Sequence, residues 1–542
     1  MTADAAADGA ARPAGEAGPP DPDDPTATYA LDPRLVRRLV RHVVAGPRAQ
    51  LRTTTTPFTG GPLAQVPVST AHDVDAAFAS ARAAQREWAR RPLAERARVL
   101  LRFHDLVLAR QDEVLDLIQL ESGKARKHAF EEVLDSALVA RHYARRARGY
   151  LAPRRVPGPF PLVSSAVVHH RPKGVVGVIA PWNYPLDLAV CDALPALVSG
   201  NAVMLKPDHQ TPLTALWALD VLREAGLPEG LLKVVLGDGA DIGGAVIERA
   251  DYVCFTGSTA TGRVVAAQAA RRLVGASLEL GGKNPLLVLE DADLDRAAEG
   301  AVRACFASAG QLCVSAERLL VHEDVADAFL DRFLGRVRAM RLAAGTGWLA
   351  DMGSLVSEQQ LAAVQRHVED ARAKGAVVLH GGRARPDVGP LFYEPTVLAG
   401  VTPEMAVCDE ETFGPVVSLS TFRTEDEAVA LANRGTYGLN ASVWTRDVGR
   451  GRRLGARIAA GTVNVNEAYG TAWAATGAPM GGMRDSGLGR RHGAEGILKY
   501  TESQTVAVQR VTGFGPPLGL EDKAWARILT MSVKAMKKAG MR

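Results

Sequence analysis

Cysteine is scarce and scattered. Cys191, Cys254, Cys305, Cys313 and Cys408 are the 5 in 542 residues. No two form a CxxC pair, which argues against a disulfide scaffold or a zinc ribbon. Reduced thiols in a cytoplasmic protein are the natural reading. Long apolar runs are missing too, so no helix is expected to span a bilayer. Met1 is followed by an acidic, Ala-rich stretch, not by the basic segment and apolar run of a secretory signal. Charge of one sign is lacking: 64 Lys and Arg stand against 60 Asp and Glu, a net of +4. Nothing there calls for nucleic acid or a strongly acidic partner. The His169-His170 pair falls in a surface strand, and no metal site is expected.

What is present is globular composition, 47% hydrophobic and 23% charged. The length exceeds one ordinary core, so two or three domains are expected. Residues 1–27, rich in Ala, Gly, Pro and Asp, read as a disordered tail. Helical periodicity follows from Ala71 to Trp88 and from Leu93 to Gly123, with starts expected at Asp73 and Pro92.

From Gly174 the pattern becomes α/β. The apolar runs GVVGVIA, AVMLK, LLKVVL, YVCF and ASLEL alternate with helix-length segments, one of them from Leu186 to Val198. Near-continuous apolar strands between helices mean a parallel sheet covered on both faces, a doubly wound, Rossmann-like unit. Its glycine fingerprint is half there. Gly237 and Gly239 follow a strand, but Ile242 holds the third glycine position, so the motif alone is weak. A second α/β alternation runs from Pro285 to about Asn466. The stretch from Lys523 to Met541 has apolar and basic residues at helical spacing. It suits packing on a neighbouring domain or subunit better than a membrane surface.

Four clusters carry chemistry. PWNYP (Pro181–Pro185) ends a strand, where doubly wound folds place ligands, and Asn183 can donate hydrogen bonds there; it can equally be a proline-rich turn. LELGGKNP (Leu278–Pro285) puts Glu279 at an apolar strand end, where burial would raise its pKa and suit a general base. A strand-edge carboxylate facing water is the plainer alternative. AGQLCVS (Ala309–Ser315) presents Cys313 after a turn, a thiol that could attack a carbonyl; a lone cysteine is more often inert packing. EETFGPV (Glu410–Val416) offers carboxylates and an aromatic before a strand, or simply a helix-to-strand turn.

Together with KPD, FTGS and GGMRDSGLGR, these motifs occur in the order of the aldehyde dehydrogenase superfamily, which the chain resembles over about residues 55–510. LFYEPTVL and RRHGAEGILKYTESQT make it most similar to actinobacterial NADP-dependent succinic-semialdehyde dehydrogenases. The resemblance implies oxidation of a small-molecule aldehyde to an acid through a thiohemiacetal and a thioester on Cys313. Asn183 and the Cys313 backbone N–H would form the oxyanion hole, and Glu279 would activate water. Pro181, Trp182, Lys206, His209, Gly257, Ser258, Glu411 and Phe413 would hold the cofactor; Tyr184, Leu188 and Ser486 would face the substrate.

Three departures matter. NAD-preferring members usually place Glu where His209 stands, so NADP is expected, with NAD possible. The two arginines that bind a substrate carboxylate in succinic-semialdehyde dehydrogenases fall at Cys191 and Ala307, which cannot pair with one. Arg303, Arg484 or another cation would have to substitute. A lysine often found after the Cys191 position is Asp192. These departures keep open an apolar or aromatic aldehyde as substrate, while retention of Glu279 argues against CoA-acylating chemistry. A non-catalytic scaffold on this fold is the reading of a different class.

The resemblance implies a cofactor-binding domain over 28–158 and 174–281 and a catalytic domain over 282–481. An oligomerisation arm over 159–173 and 482–510 and a C-terminal extension over 511–542 complete the division. A homodimer or homotetramer is expected from the exposed arm strands.

Overall fold

A computed structural model describes residues 31–158, 164–510 and 515–540. The expected disordered tail, 1–27, lies outside the described residues.

Two parallel-rich sheets dominate. The first has six strands in the order Gly487–Leu488, Gly275–Glu279, Tyr252–Thr256, Val175–Ile179, Ala202–Lys206, Leu232–Val234. All neighbours are parallel except Gly487–Leu488, which pairs antiparallel with Gly275–Glu279. Val175, Val176, Val203, Met204 and Val253 are wholly buried, as a sheet covered on both faces requires. The second sheet runs Val377–His380, Thr396–Ala399, Val416–Phe422, Ala316–His322, Asn284–Val288, Asn440–Trp444, Thr462–Val465. Only its first pair is antiparallel. The sequence-based fold class, α/β with a Rossmann-like unit, is the observed one.

A third, antiparallel sheet of three strands stands apart: Thr501–Gln509, Ser164–Pro172 and Arg154–Pro157. Its edge strand Thr501–Gln509 is exposed along all but the first residue.

Local structure differs from expectation in a few places. The helix Ala71–Arg90 is capped by Thr70, not Asp73; Asp73 is the third helical residue, and its carboxylate accepts from the Thr70 N–H while its own N–H donates to Thr70 Oγ1, closing a capping box. The helix expected from Leu186 to Val198 is two short ones, Asp187–Val190 and Ala193–Val198. Pro195 explains the break. It has no N–H for the Cys191 carbonyl, and its ring crowds that carbonyl. The C-terminal helix, Asp522–Lys538, has no fully buried residue.

Candidate active site

The first sheet reverses its order at Val175–Ile179. The chain builds outward to Ala202–Lys206 and Leu232–Val234, then crosses back to Tyr252–Thr256 on the other side. Loops leaving the carboxyl ends of the two strands at that reversal part and leave a crevice, where open α/β sheets hold ligands. One loop carries Pro181, Trp182 and Asn183; the other carries Gly257 and Ser258. They line a cavity of about 250 Å3 together with Glu279, Gly281, Cys313, Glu411 and Phe413. Thr256, Leu280 and Gln360, which sequence reasoning did not single out, complete its wall.

Each functional group is held by neighbours distant in sequence. Asn284 of LELGGKNP clamps the nucleophile loop: its Nδ2 donates to the Cys313 carbonyl at 2.7 Å and to the Ser315 carbonyl at 2.8 Å. The Gln311 side chain donates to the Ser308 and Ser354 carbonyls and accepts from the Val356 N–H. The loop turns through left-handed backbone at Ser308, Ala309 and Gly310. At Gly310 a Cβ would lie 2.0 Å from the Gly414 carbonyl oxygen. The Asn183 loop is fixed by buried Lys124, whose Nζ donates to the Asn183 carbonyl at 2.5 Å and to Glu132 at 2.6 Å. Glu132 in turn accepts the N–H groups of Leu186 and Asp187.

The electrostatics separate two roles. Burial, then the carboxyls of Glu279 and Glu411, push the Cys313 thiol up to about 12. It rests as a thiol and needs a base. Burial pushes Glu279 up to about 7, with Arg491 and Lys499 acting the other way. Its Oε1 accepts no hydrogen bond among the described residues. Glu411, pushed up to about 8 by burial, accepts the Gly282 N–H at 2.8 Å. Trp182 and Phe413 meet edge to face, ring centres 5.6 Å apart.

Cys313 also lines a second, narrow slot of about 30 Å3. Tyr184 and Leu188 line it, as does Cys191. Asp135, Asp187, Trp473 and Met480 join them, unflagged by any sequence motif, with Arg491 and His492, which lie in RRHGAEGILKYTESQT but were given no role there. Oxygens of Asp135 and Asp187 and the Cys191 sulfur lie within 4.8 Å of one another. Ser486 is not brought to either cavity: it is wholly buried, and its Oγ accepts the Gly438 N–H. Ala307 and Arg303 line a separate cleft of about 740 Å3.

Lys206, the last residue of Ala202–Lys206, and His209, just beyond it, do not line the cavity. Lys206 is buried, which lowers its pKa, and donates to the Pro207 carbonyl. His209 is half-exposed, with Nδ1 3.4 Å from Asp238 and 3.5 Å from Asp208. Arg52 approaches from a strand far earlier in the chain and holds Asp238 through two bonds, 2.7 and 2.8 Å.

A doubly wound sheet with a thiol and a carboxyl at its reversal point defines an α/β enzyme suited to covalent work on a carbonyl beside a bound nucleotide. The chain belongs to the aldehyde dehydrogenase family, whose model matches residues 45–506. It is 56% identical over 481 residues to a Mycolicibacterium smegmatis protein named "Putative succinate-semialdehyde dehydrogenase", with NADP(+) in its name; the match covers 89% of this chain and 93% of that one. A mitochondrial succinate-semialdehyde dehydrogenase of Oryza sativa is 36% identical, over 83% of this chain and 85% of that one. Among solved structures, an NADP-dependent enzyme of E. coli superposes with TM-score 0.83 at 33% identity, covering 87% of this chain and 99% of that one. A Staphylococcus aureus betaine aldehyde dehydrogenase solved with NAD+ gives TM-score 0.82 at 30% identity, covering 88% and 96%.

Proposed function

We propose that this chain oxidises succinic semialdehyde to succinate with NADP. The observation that carries the chemistry is that Cys313 opens onto two cavities. One suits a nicotinamide, and the other suits the aldehyde.

The residues of the larger cavity fit a dinucleotide. Gly281 has no room for a side chain, since a Cβ would lie 2.1 Å from a Glu411 oxygen. The helix Thr259–Arg271 opens at Ser258, and helix N-termini favour pyrophosphate. Glu411 would hold the ribose beside it. NADP, when bound, supplies the hydride acceptor. Glu279 takes the thiol proton as Cys313 attacks the aldehyde carbon. The oxyanion of the thiohemiacetal is met by the Asn183 amide and the Cys313 backbone N–H, donors placed where charge develops. Once the thioester has formed, Glu279 passes that proton to solvent and takes another from water, and hydrolysis releases the acid and returns the proton to Cys313.

NADP over NAD is supported by His209, where a carboxylate would repel a 2′-phosphate, by neighbouring Lys206 and Arg52, and by the names of the mycobacterial relatives. Succinic semialdehyde is supported by the names of relatives from mycobacteria and from rice. The missing arginines favour a second reading, the same chemistry on an uncharged aldehyde. A slot this narrow suits an unbranched chain better than an aromatic ring. The six-stranded sheet with 28–158 would bind the cofactor, residues 282–481 would carry the nucleophile, and the three-stranded sheet would join subunits of a cytoplasmic homo-oligomer.

The test is kcat/KM with NADP for succinic semialdehyde and for butanal. A preference for the semialdehyde supports the substrate reading. Equal rates or a preference for butanal overturn it and leave the dehydrogenase chemistry standing.

A further inference from the structure

A substrate carboxylate needs a cation near Cys313, and the positions first expected to supply one hold Cys191 and Ala307. Two substitutes fall away on geometry. Arg484 donates to the carbonyls of Asn433 and Gly435 at an exposed site. Arg303 faces the separate cleft and pairs with Glu131 at 3.2 Å and Glu467 at 3.7 Å.

Arg491 remains, the one Lys or Arg that lines the slot shared with Cys313 among the described residues. Its guanidinium is held from behind. Nε and Nη2 donate to Asp192 Oδ2 at 3.1 and 2.7 Å, and Nη2 donates to Thr256 Oγ1 at 2.6 Å. Nη1 makes no hydrogen bond among the described residues, although a guanidinium carries donors for a second, planar partner. Asp192 does not serve Arg491 alone. Its other oxygen accepts from Lys499 Nζ at 2.9 Å and from the Tyr500 hydroxyl at 2.7 Å. One carboxylate thus answers two cations, and Glu279 is the next acidic group whose charge Arg491 feels.

We propose that Arg491 is the carboxylate-binding residue of this site, taking the far end of a semialdehyde on Nη1 while the aldehyde carbon lies at Cys313. The proposal rests on the semialdehyde reading given above. A pre-oriented planar donor is the group best matched to a carboxylate, and anchoring it from behind spares the ordering cost of a free arginine.

Asp135 and Asp187 share the wall and would oppose an entering anion. Burial raises both, the charge of Asp187 raises Asp135 further, and the Cys191 thiol donates to Asp187. A carboxylate on this wall repels an anion, so removing one helps a semialdehyde to enter. Asp187→Asn is expected to raise kcat/KM for succinic semialdehyde severalfold.

Two variants of the full chain test the proposal. Arg491→Lys keeps the charge and the contact with Asp192 but loses the forked donor. Arg491→Gln removes the guanidinium charge, while Asp192 keeps Lys499 and the Tyr500 hydroxyl as partners and so is not left buried and unpaired. Steady-state kinetics with NADP are measured for succinic semialdehyde and butanal, together with inhibition of butanal oxidation by succinate. In both variants the semialdehyde-to-butanal ratio of kcat/KM should fall at least thirtyfold, mainly through KM, and succinate inhibition should weaken in parallel. A parallel loss on both aldehydes, or an unchanged ratio, overturns the role. A wild-type enzyme with no preference for the semialdehyde overturns the substrate reading instead. Succinate inhibition of butanal oxidation then decides Arg491: a variant inhibited as strongly as wild type overturns the role.

Discussion

Cys313 and Glu279 share one cavity, and their proton affinities set how the reaction depends on pH. A general base acts deprotonated. With Glu279 pushed up to about 7 by burial, deacylation should speed up as pH rises through about 7 and level off above it. Glu279→Gln should abolish that rise and slow turnover by about 10²–10⁴-fold, with no burst of NADPH, because the Cys313 thiol then lacks the base that prepares its attack. Asn183→Ala should cost about 10²–10³-fold in kcat, the usual loss for one oxyanion donor; an unchanged kcat would remove Asn183 from that role. At the cofactor's far end, His209→Glu should move preference from NADP toward NAD, read as the ratio of kcat/KM for the two cofactors. These three residues were legible because each lies in or beside a short motif at a strand end. Asp135 and Arg52 were not, and Arg491, though inside RRHGAEGILKYTESQT, carried no role there. Arg491 acts through Asp192, 299 residues away, and Arg52 through Asp238, 186 residues away, and no local pattern marks such pairs.

At the scale of elements, the helix Arg126–Tyr150 does more than cover the sheet. Through Glu132 and Lys124 it holds the loop that presents Asn183. The pair is buried, and removing one partner leaves an uncompensated charge, so Lys124→Met should lower unfolding free energy by about 3–5 kcal/mol. Denaturant titration checks it; a loss below 1 kcal/mol would mean the pair is dispensable. The C-terminal helix gives the opposite expectation. Because Asp522–Lys538 buries no residue, a chain ending at residue 520 should keep the Tm and kcat of the full chain, and a lower value of either would reveal a contact made in the assembly. Periodicity found most strands and helices because hydrophobic spacing is a local signal. It missed the break within the segment from Leu186 to Val198 because the weight of Pro195 against a strongly apolar segment is settled by packing.

At the scale of the molecule, two parallel sheets face the active site and a small antiparallel sheet stands away from it. Val506 and Val508 are 46% and 49% exposed on its edge strand, and an apolar open edge invites a second chain. A double substitution of both valines by lysine should shift the species seen by light scattering toward monomer, and no shift would place the subunit contact elsewhere. The sequence by itself determined the α/β class, the family and the short motifs that meet at Cys313, since each is written in contiguous residues. Tertiary structure alone decided which charges face the substrate. Burial, shared protons and ion pairs between distant segments set those charges, and they exist only once the chain has closed around them.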